Sequence, residues 1–271
     1  LMADAAHLRE YRSLAGERVV RAPLAGVGDL FFNTRDTHLA NTRIRRALIQ
    51  AIDWRRVVDN ATRGAQAFEH ANRGLFSWGY DPAIQPPKFD PTAAARVLKG
   101  VVPSLQFSFV AGNAVASAIG VQLQQQLRAA GVELILRSYS PLQFRADASS
   151  GGPIYSGRFQ IAFLEIYTGV DPDTDWYFGC RQIPPGGFNT SWYCDSQTDR
   201  AAAAGLATYD RLSRRRYAAV VQRRIMEELP SLALWQQNAI YVIPSGLHGF
   251  RPAEDSPVWN IADWTMDAAR Q

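Results

Sequence analysis

The stretch NAVASAIGVQLQQQLRAAGVELILRSYS, Asn113–Ser140, decides the fold. Val115, Ile119, Leu123 and Leu127 recur every fourth residue, the spacing of one helical stripe. Gly131 stops that helix, and VELILRSYS follows at once as a strand. AGV at 130–132 is the tight helix-to-strand turn of layered α/β proteins.

The same alternation extends in both directions. Upstream, SLQFSFVAG (104–112) alternates apolar and polar residues and reads as a strand. DPTAAARVLKG (90–100) is a short helix with Asp90 as N-cap, Pro91 at the first helical position and Gly100 past the end. In NTRIRRALIQAIDWRRVVDNATRG (41–64), Ile44, Leu48 and Ile52 share a face, Asp53 caps a second short helix and Gly64 closes it. DLFFNT (29–34) is a short strand, and the first 30 residues carry little pattern. Downstream, PLQFRADASS (141–150) is a short helix. FQIAFLEI (159–166) is a near-continuous apolar run, expected as a strand buried on both faces. Helices are expected over about 198–208 and 213–229, the second with Tyr217, Val220, Val221, Ile225 and Leu229 on its apolar side. PSLALWQQNAIYVIP (230–244) closes as one or two strands, followed by an irregular aromatic tail. The expected class is therefore α/β, a mixed sheet flanked by helices.

Composition narrows the function. The 271 residues are 47% hydrophobic and 20% charged, enough for one large or two small domains. The net charge of +4 rests on arginine, since Lys88 and Lys99 are the only lysines. The densest basic run, Arg211–Arg224, alternates with apolar residues as a solvated helix face does, and nucleic acid is not an expected partner. No apolar run approaches the roughly 18 residues of a membrane span, and LMADAAHLREYRSLAGERVV lacks the pattern of a signal peptide. There is no GxGxxG, GxxxxGK[ST], GxSxG, HExxH or CxxC, and His7, His38, His70 and His248 lie far apart. No cofactor or metal is expected. Cys180 and Cys194 flank a turn-rich loop, which suits a disulfide or two reduced cysteines equally.

The remaining candidate for chemistry is FLEIYTGVDPDTDWYFGC, Phe163–Cys180. Asp171, Asp173 and Asp175 alternate as in the first half of a calcium loop. Position 6 is Trp176 where a glycine is required, and position 12 is Gln182 where a glutamate is required, so that reading fails. A pair of these aspartates could serve a carbohydrate-active hydrolase. The plainer expectation is that Asp171–Pro172 makes a turn and Asp173 caps the following helix.

Five motifs in order carry a resemblance: NTRIRRALIQAIDWRRVVDNATRG (41–64), SWGYDP (77–82), FDPTAAARVLKG (89–100), GVQLQQQLRAAGVELILRSY (120–139) and YTGVDPDTDWYFGC (167–180). Together they resemble the C-terminal half of bacterial extracellular solute-binding proteins of family 5, the dipeptide, oligopeptide and nickel receptors of ABC importers. The resemblance implies the C-terminal lobe of a two-lobed periplasmic binding protein of the class II, cluster C type. Residues 1–30 would lead in from the first lobe, 31–246 would form the lobe, and 247–271 would return toward the first lobe. A signal peptide and the first lobe would lie upstream.

It also implies a binding module without catalysis: a monomer, periplasmic or extracellular and open to membrane tethering through upstream residues, that closes on a small-molecule or peptide ligand and meets a membrane permease. Export favours the Cys180–Cys194 disulfide. Tyr167, Thr168, Gly169, Asp171, Trp176, Asn189, Trp192 and Tyr193 would line the cleft, with Trp78 on the SWGYDP loop and Arg145 reaching a ligand carboxylate. Peptide receptors of this family carry an Asp just after a TG-like turn to pair with the ligand's α-amino group. Here Val170 follows Thr168–Gly169, so that Asp is missing or displaced to Asp171. The alternatives are the hydrolase above and a ligand sensor fused to a regulatory domain.

Overall fold

The computed structural model describes residues 2–3, 8–68 and 76–268. His7, His70 and the residues just ahead of SWGYDP, 69–75, lie outside them. A mixed sheet holds β1 (Met2–Ala3), β2 (Glu17–Phe32), β3 (Ser104–Val110), β4 (Glu133–Tyr139), β5 (Ile161–Tyr167) and β6 (Ser231–Pro244) in the order β1-β6-β2-β5-β3-β4. β3 runs parallel to β4 and β5, and the other pairings are antiparallel. Among the described residues, the α-helices are α1 (Leu8–Arg12), α2 (Thr42–Gln50), α3 (Trp54–Thr62), α4 (Pro91–Leu98), α5 (Ala114–Ala129), α6 (Pro141–Phe144), α7 (Asp175–Phe178), α8 (Ser196–Leu206) and α9 (Arg211–Glu228).

The deciding stretch folds as its spacing predicts. Asn113 caps α5 by accepting the Ala116 N–H, and Ile119, Leu123 and Leu127 are buried. Gly131 adopts φ +83° while the Val132 N–H reaches back to the Leu127 carbonyl, a left-handed stop that a side chain would strain. The chain then enters β4 beside β3, giving a parallel βαβ unit. Asp53 and Asp90 cap α3 and α4 as expected, each such cap being worth about 1 kcal/mol.

Two expectations are corrected. The strand read as 29–34 begins at Glu17 and is sixteen residues long, pairing with β6 along most of its length. Its first half is mixed in polarity, so no period marks it. Register with β6 also shifts between Gly28 and Asp29, where β6 carries the extra residue Leu234. Val27 lies in the main core before the shift, and Leu30 and Phe32 after it. The second correction concerns α9. Its buried residues are Ala218, Val221, Gln222, Ile225 and Met226, whereas Tyr217 and Val220 face solvent. The buried polar Gln222 hides the stripe: its amide pairs with both the N–H (2.8 Å) and the carbonyl (2.9 Å) of Asp81.

The main core lies between one face of the sheet and the larger helices. A smaller cluster, Phe31, Phe144, Ile154, Phe159, Ala162 and Leu164, covers the other face. Ile161–Leu164 of β5 is thus buried from both sides, as its unbroken apolar run predicts. The tail pairs Leu247–His248 (β7) with Thr265–Met266 (β8), and Phe250 packs against Tyr241 of β6.

Candidate ligand-binding site

In open α/β sheets, ligands gather outside the carboxyl ends of the strands. Here the carboxyl ends of β3, β4 and β5 lie on one side. β5 is buried through Leu164 and then emerges, leaving Glu165 and Tyr167 exposed. Thr168 holds the sheet edge once more through its N–H to the Ala25 carbonyl (2.9 Å). Gly169, at φ +71°, turns the chain out of the sheet.

The loop that follows returns to the same end. Tyr177 donates to the Tyr167 carbonyl (2.6 Å), which sets Trp176 beside the strand end with 53% of its surface exposed. Trp176 stacks against Phe188 (5.8 Å between centroids), and Phe188 meets Tyr155 edge-on (6.3 Å). Arg145 reaches the Glu165 carbonyl (3.4 Å). Burial pushes the Tyr155 and Tyr177 phenols up, and the Arg145 charge pulls both back. Half-buried Tyr155 and the exposed Trp176 and Phe188 therefore form one aromatic platform, with exposed Arg145 and Tyr167 at the adjoining end of β5. Tyr155 escapes a reading of the sequence because it sits in an irregular loop without period.

Beside this platform, a cavity of about 530 Å³ opens between the end of α3, the start of α5 and the sheet. Arg63, Gln66, Val115, Glu165 and Trp235 line it. Gly28 makes room for the Trp235 indole, which would lie 2.5 Å from a Cβ at that position. No local pattern marks this cavity, because its walls come from four separated segments.

The other expected residues brace the site. Asn189 is fully buried, and its amide donates to the carbonyls of Gly179 (3.0 Å) and Tyr193 (2.7 Å). Tyr193 is buried too, its hydroxyl on Thr198 (3.0 Å), and burial pushes its phenol up to about 12. Both lie beneath the loop rather than on a cleft wall. Trp192 is half-buried under the Arg35 guanidinium (4.1 Å). Trp78 is half-buried with Arg211 (4.8 Å) and Arg214 (5.3 Å) over its ring.

Cys180 and Cys194 form a disulfide that closes this loop. A closed loop of this length restricts the unfolded chain by about 3 kcal/mol. Replacing both cysteines by serine is expected to lower unfolding free energy by that amount in urea titration. An unchanged midpoint would mean that the Asn189 hydrogen bonds hold the loop alone.

The acidic residues are committed locally. Both Asp171 oxygens accept from Arg214. Asp173 accepts the Asp175 N–H (3.1 Å), and Asp175 accepts from Gln182 (3.0 Å). The cap expected at Asp173 is corrected: the N-cap position of α7 is Thr174, which makes no side-chain cap bond, and Asp173 lies one residue ahead of it. Burial raises the Asp173 pKa, with Asp175 and Asp171 adding to the rise. Among the described residues, no group of three or more His, Cys, Asp or Glu could hold a metal ion.

Residues 3–182 match the family model described as "Bacterial extracellular solute-binding proteins, family 5 Middle". The chain belongs to this family. It is 23% identical over 258 residues to the dipeptide-binding protein of Pseudomonas aeruginosa, covering 91% of this chain and 47% of that protein. It is 28% identical over 225 residues to the glutathione-binding protein GsiB of Salmonella typhimurium, covering 78% of this chain and 42% of that protein. In fold it is similar to the oligopeptide-binding protein AppA of Bacillus subtilis, solved with a nonapeptide. That match has a TM-score of 0.82 and 19% identity over 98% of this chain and 56% of that one. The chain thus spans about half the length of the relatives it matches. All three are named for binding. The hydrolase alternative finds no support among them, and the Asp171–Arg214 pair removes one of its carboxylates.

Proposed function

We propose that this chain is the C-terminal lobe of the solute receptor of an ABC importer. It would hold a peptide or peptide-like solute between two lobes that close by a hinge, and present it to a membrane permease. The observation that carries this reading is the exposed aromatic platform at the carboxyl end of β5, beside a cavity large enough for a small ligand. Family membership supports a binding role and a periplasmic or extracellular location. Relatives named for dipeptide, glutathione and oligopeptide binding support a peptide-like ligand. Residues 1–30 would lead in from the first lobe, 31–246 would form this lobe and 247–271 would return toward the first. The receptor would act as a monomer, without nucleic acid.

Trp176, Tyr167 and Arg145 are the contact residues of this reading; Thr168, Gly169, Asp171, Asn189, Trp192, Tyr193 and Trp78 shape and brace the loop that carries them. Trp176→Ala in the full-length receptor is expected to weaken binding about tenfold, as loss of an exposed aromatic anchor does, with its melting temperature nearly unchanged. A large drop in melting temperature with intact affinity would make Trp176 a packing residue instead. Native mass spectrometry of the receptor, followed by denaturing release, would show what it carries. A spread of peptide masses supports the reading, and turnover of a glycoside overturns it.

A further inference from the structure

α8 and α9 meet at a corner, residues 206–212, that no other described element covers. Leu206 is 52% exposed, Leu212 67% and Tyr209 fully so. Along α9, Leu212, Arg216, Val220 and Arg223 follow at i, i+4, i+8 and i+11, one stripe on the side facing away from buried Ala218, Val221 and Ile225. Arg200, Arg211 and Arg215 are exposed around it. Nearby acids are engaged elsewhere. Asp210 caps α9 through the Ser213 N–H, while Glu227 and Glu228 pair with Arg224.

We infer that this corner docks the protein onto the surface of an anionic lipid bilayer. Large apolar side chains at a protruding corner gain nothing in water but gain burial at the headgroup–acyl boundary. Tyrosine suits that boundary, with an apolar ring and a polar tip. The flanking cations are all arginine, whose planar fork grips phosphate oxygens in pairs. The charge of the patch selects an anionic surface over a neutral one. The corner also sits at the ligand end of the molecule. Arg214, in the first turns of α9, holds Asp171, and Ser77 Oγ holds the Val170 carbonyl (2.8 Å). This contact is with lipid itself and needs no permease.

The test is co-sedimentation of the protein with phosphatidylcholine vesicles, with and without about one-third phosphatidylglycerol. The protein is expected to bind the anionic vesicles at least tenfold better and to be released at roughly 0.5 M salt. Arg215→Glu with Arg216→Glu is expected to weaken binding at least 25-fold, at about fivefold or more per arginine. Tyr209→Ser with Leu212→Ser should weaken it while leaving the melting temperature unchanged, since both side chains are exposed. Arg96→Glu with Arg128→Glu, exposed positions on α4 and α5, makes the same change in net charge elsewhere. An equal loss in that control overturns the inference, because attraction would then follow overall charge. Failure of the wild type to bind anionic vesicles, or binding only when a permease is reconstituted in them, overturns it as well.

Discussion

Replacing Arg45 by alanine is expected to cost about 3–5 kcal/mol of folding stability, the range for removing one member of a buried, hydrogen-bonded charged group. Arg45 lies on α2 with 2% of its surface exposed. Its guanidinium donates to the carbonyls of Leu39 (2.5 Å), Ala40 (3.1 Å), Glu228 (2.9 Å from Nε) and Leu229 (3.1 Å). Nη2 also donates to Thr42 Oγ1 (3.0 Å). Two of these carbonyls close the C-terminus of α9, where helical carbonyls have no partner of their own. One arginine therefore ties the loop before α2 to the end of a helix more than 180 residues later. Arg45→Met keeps much of the apolar stem and should recover only a minor part of the loss, because the carbonyls stay unpaired. Urea unfolding of the two variants checks this. If both lose less than about 1 kcal/mol, water replaces the guanidinium at those carbonyls.

Asp29→Asn is expected to act in the opposite direction. Asp29 is fully buried in β2, and burial pushes its carboxyl up to about 8, against a smaller opposing pull from hydrogen bonds led by Ser231. Ser231 Oγ lies 3.2 Å from Oδ2, and Oδ1 has no partner. The folded protein therefore holds a proton that the unfolded chain releases near pH 4. The stability linked to this group is fully present below about pH 4 and is lost progressively as pH rises to about 8. Asparagine removes that dependence, so the variant should be more stable than the wild type at pH 8 by about 2–4 kcal/mol. The advantage should shrink to near zero or reverse at pH 4. Denaturant titrations across that range decide it; parallel stability curves for the two proteins would mean that Asp29 is not protonated in the fold.

Local features were legible and distant ones were not. The α5–Gly131–β4 unit and the caps at Asp53 and Asp90 follow from residues within one or two turns of each other, and the structure reproduces them. β2 escaped because its first half is flanked by a strand more than 200 residues away, and that pairing leaves no period in the sequence. On the loop after β5, Trp176 and Asn189 looked alike as polar-edged candidates. Their roles separate only with partners in place: Trp176 has Phe188 beside it and open solvent above, while Asn189 has two carbonyls around its amide. Glu165 was hidden at the end of an apolar run, and Asp29 looked like an ordinary strand-end residue.

The span from Asp171 to Cys180 resembles a bridge seated on two abutments. The Arg214 clasp fixes one end and the Cys180–Cys194 bond fixes the other. Trp176 sits between them on a single helical turn. A solute arriving there meets a surface already shaped, and little backbone freedom is lost when it settles. Such a surface sorts its guests by how well their contours fit it. Guests of different lengths must overhang the span, since the span itself has little slack with which to follow them.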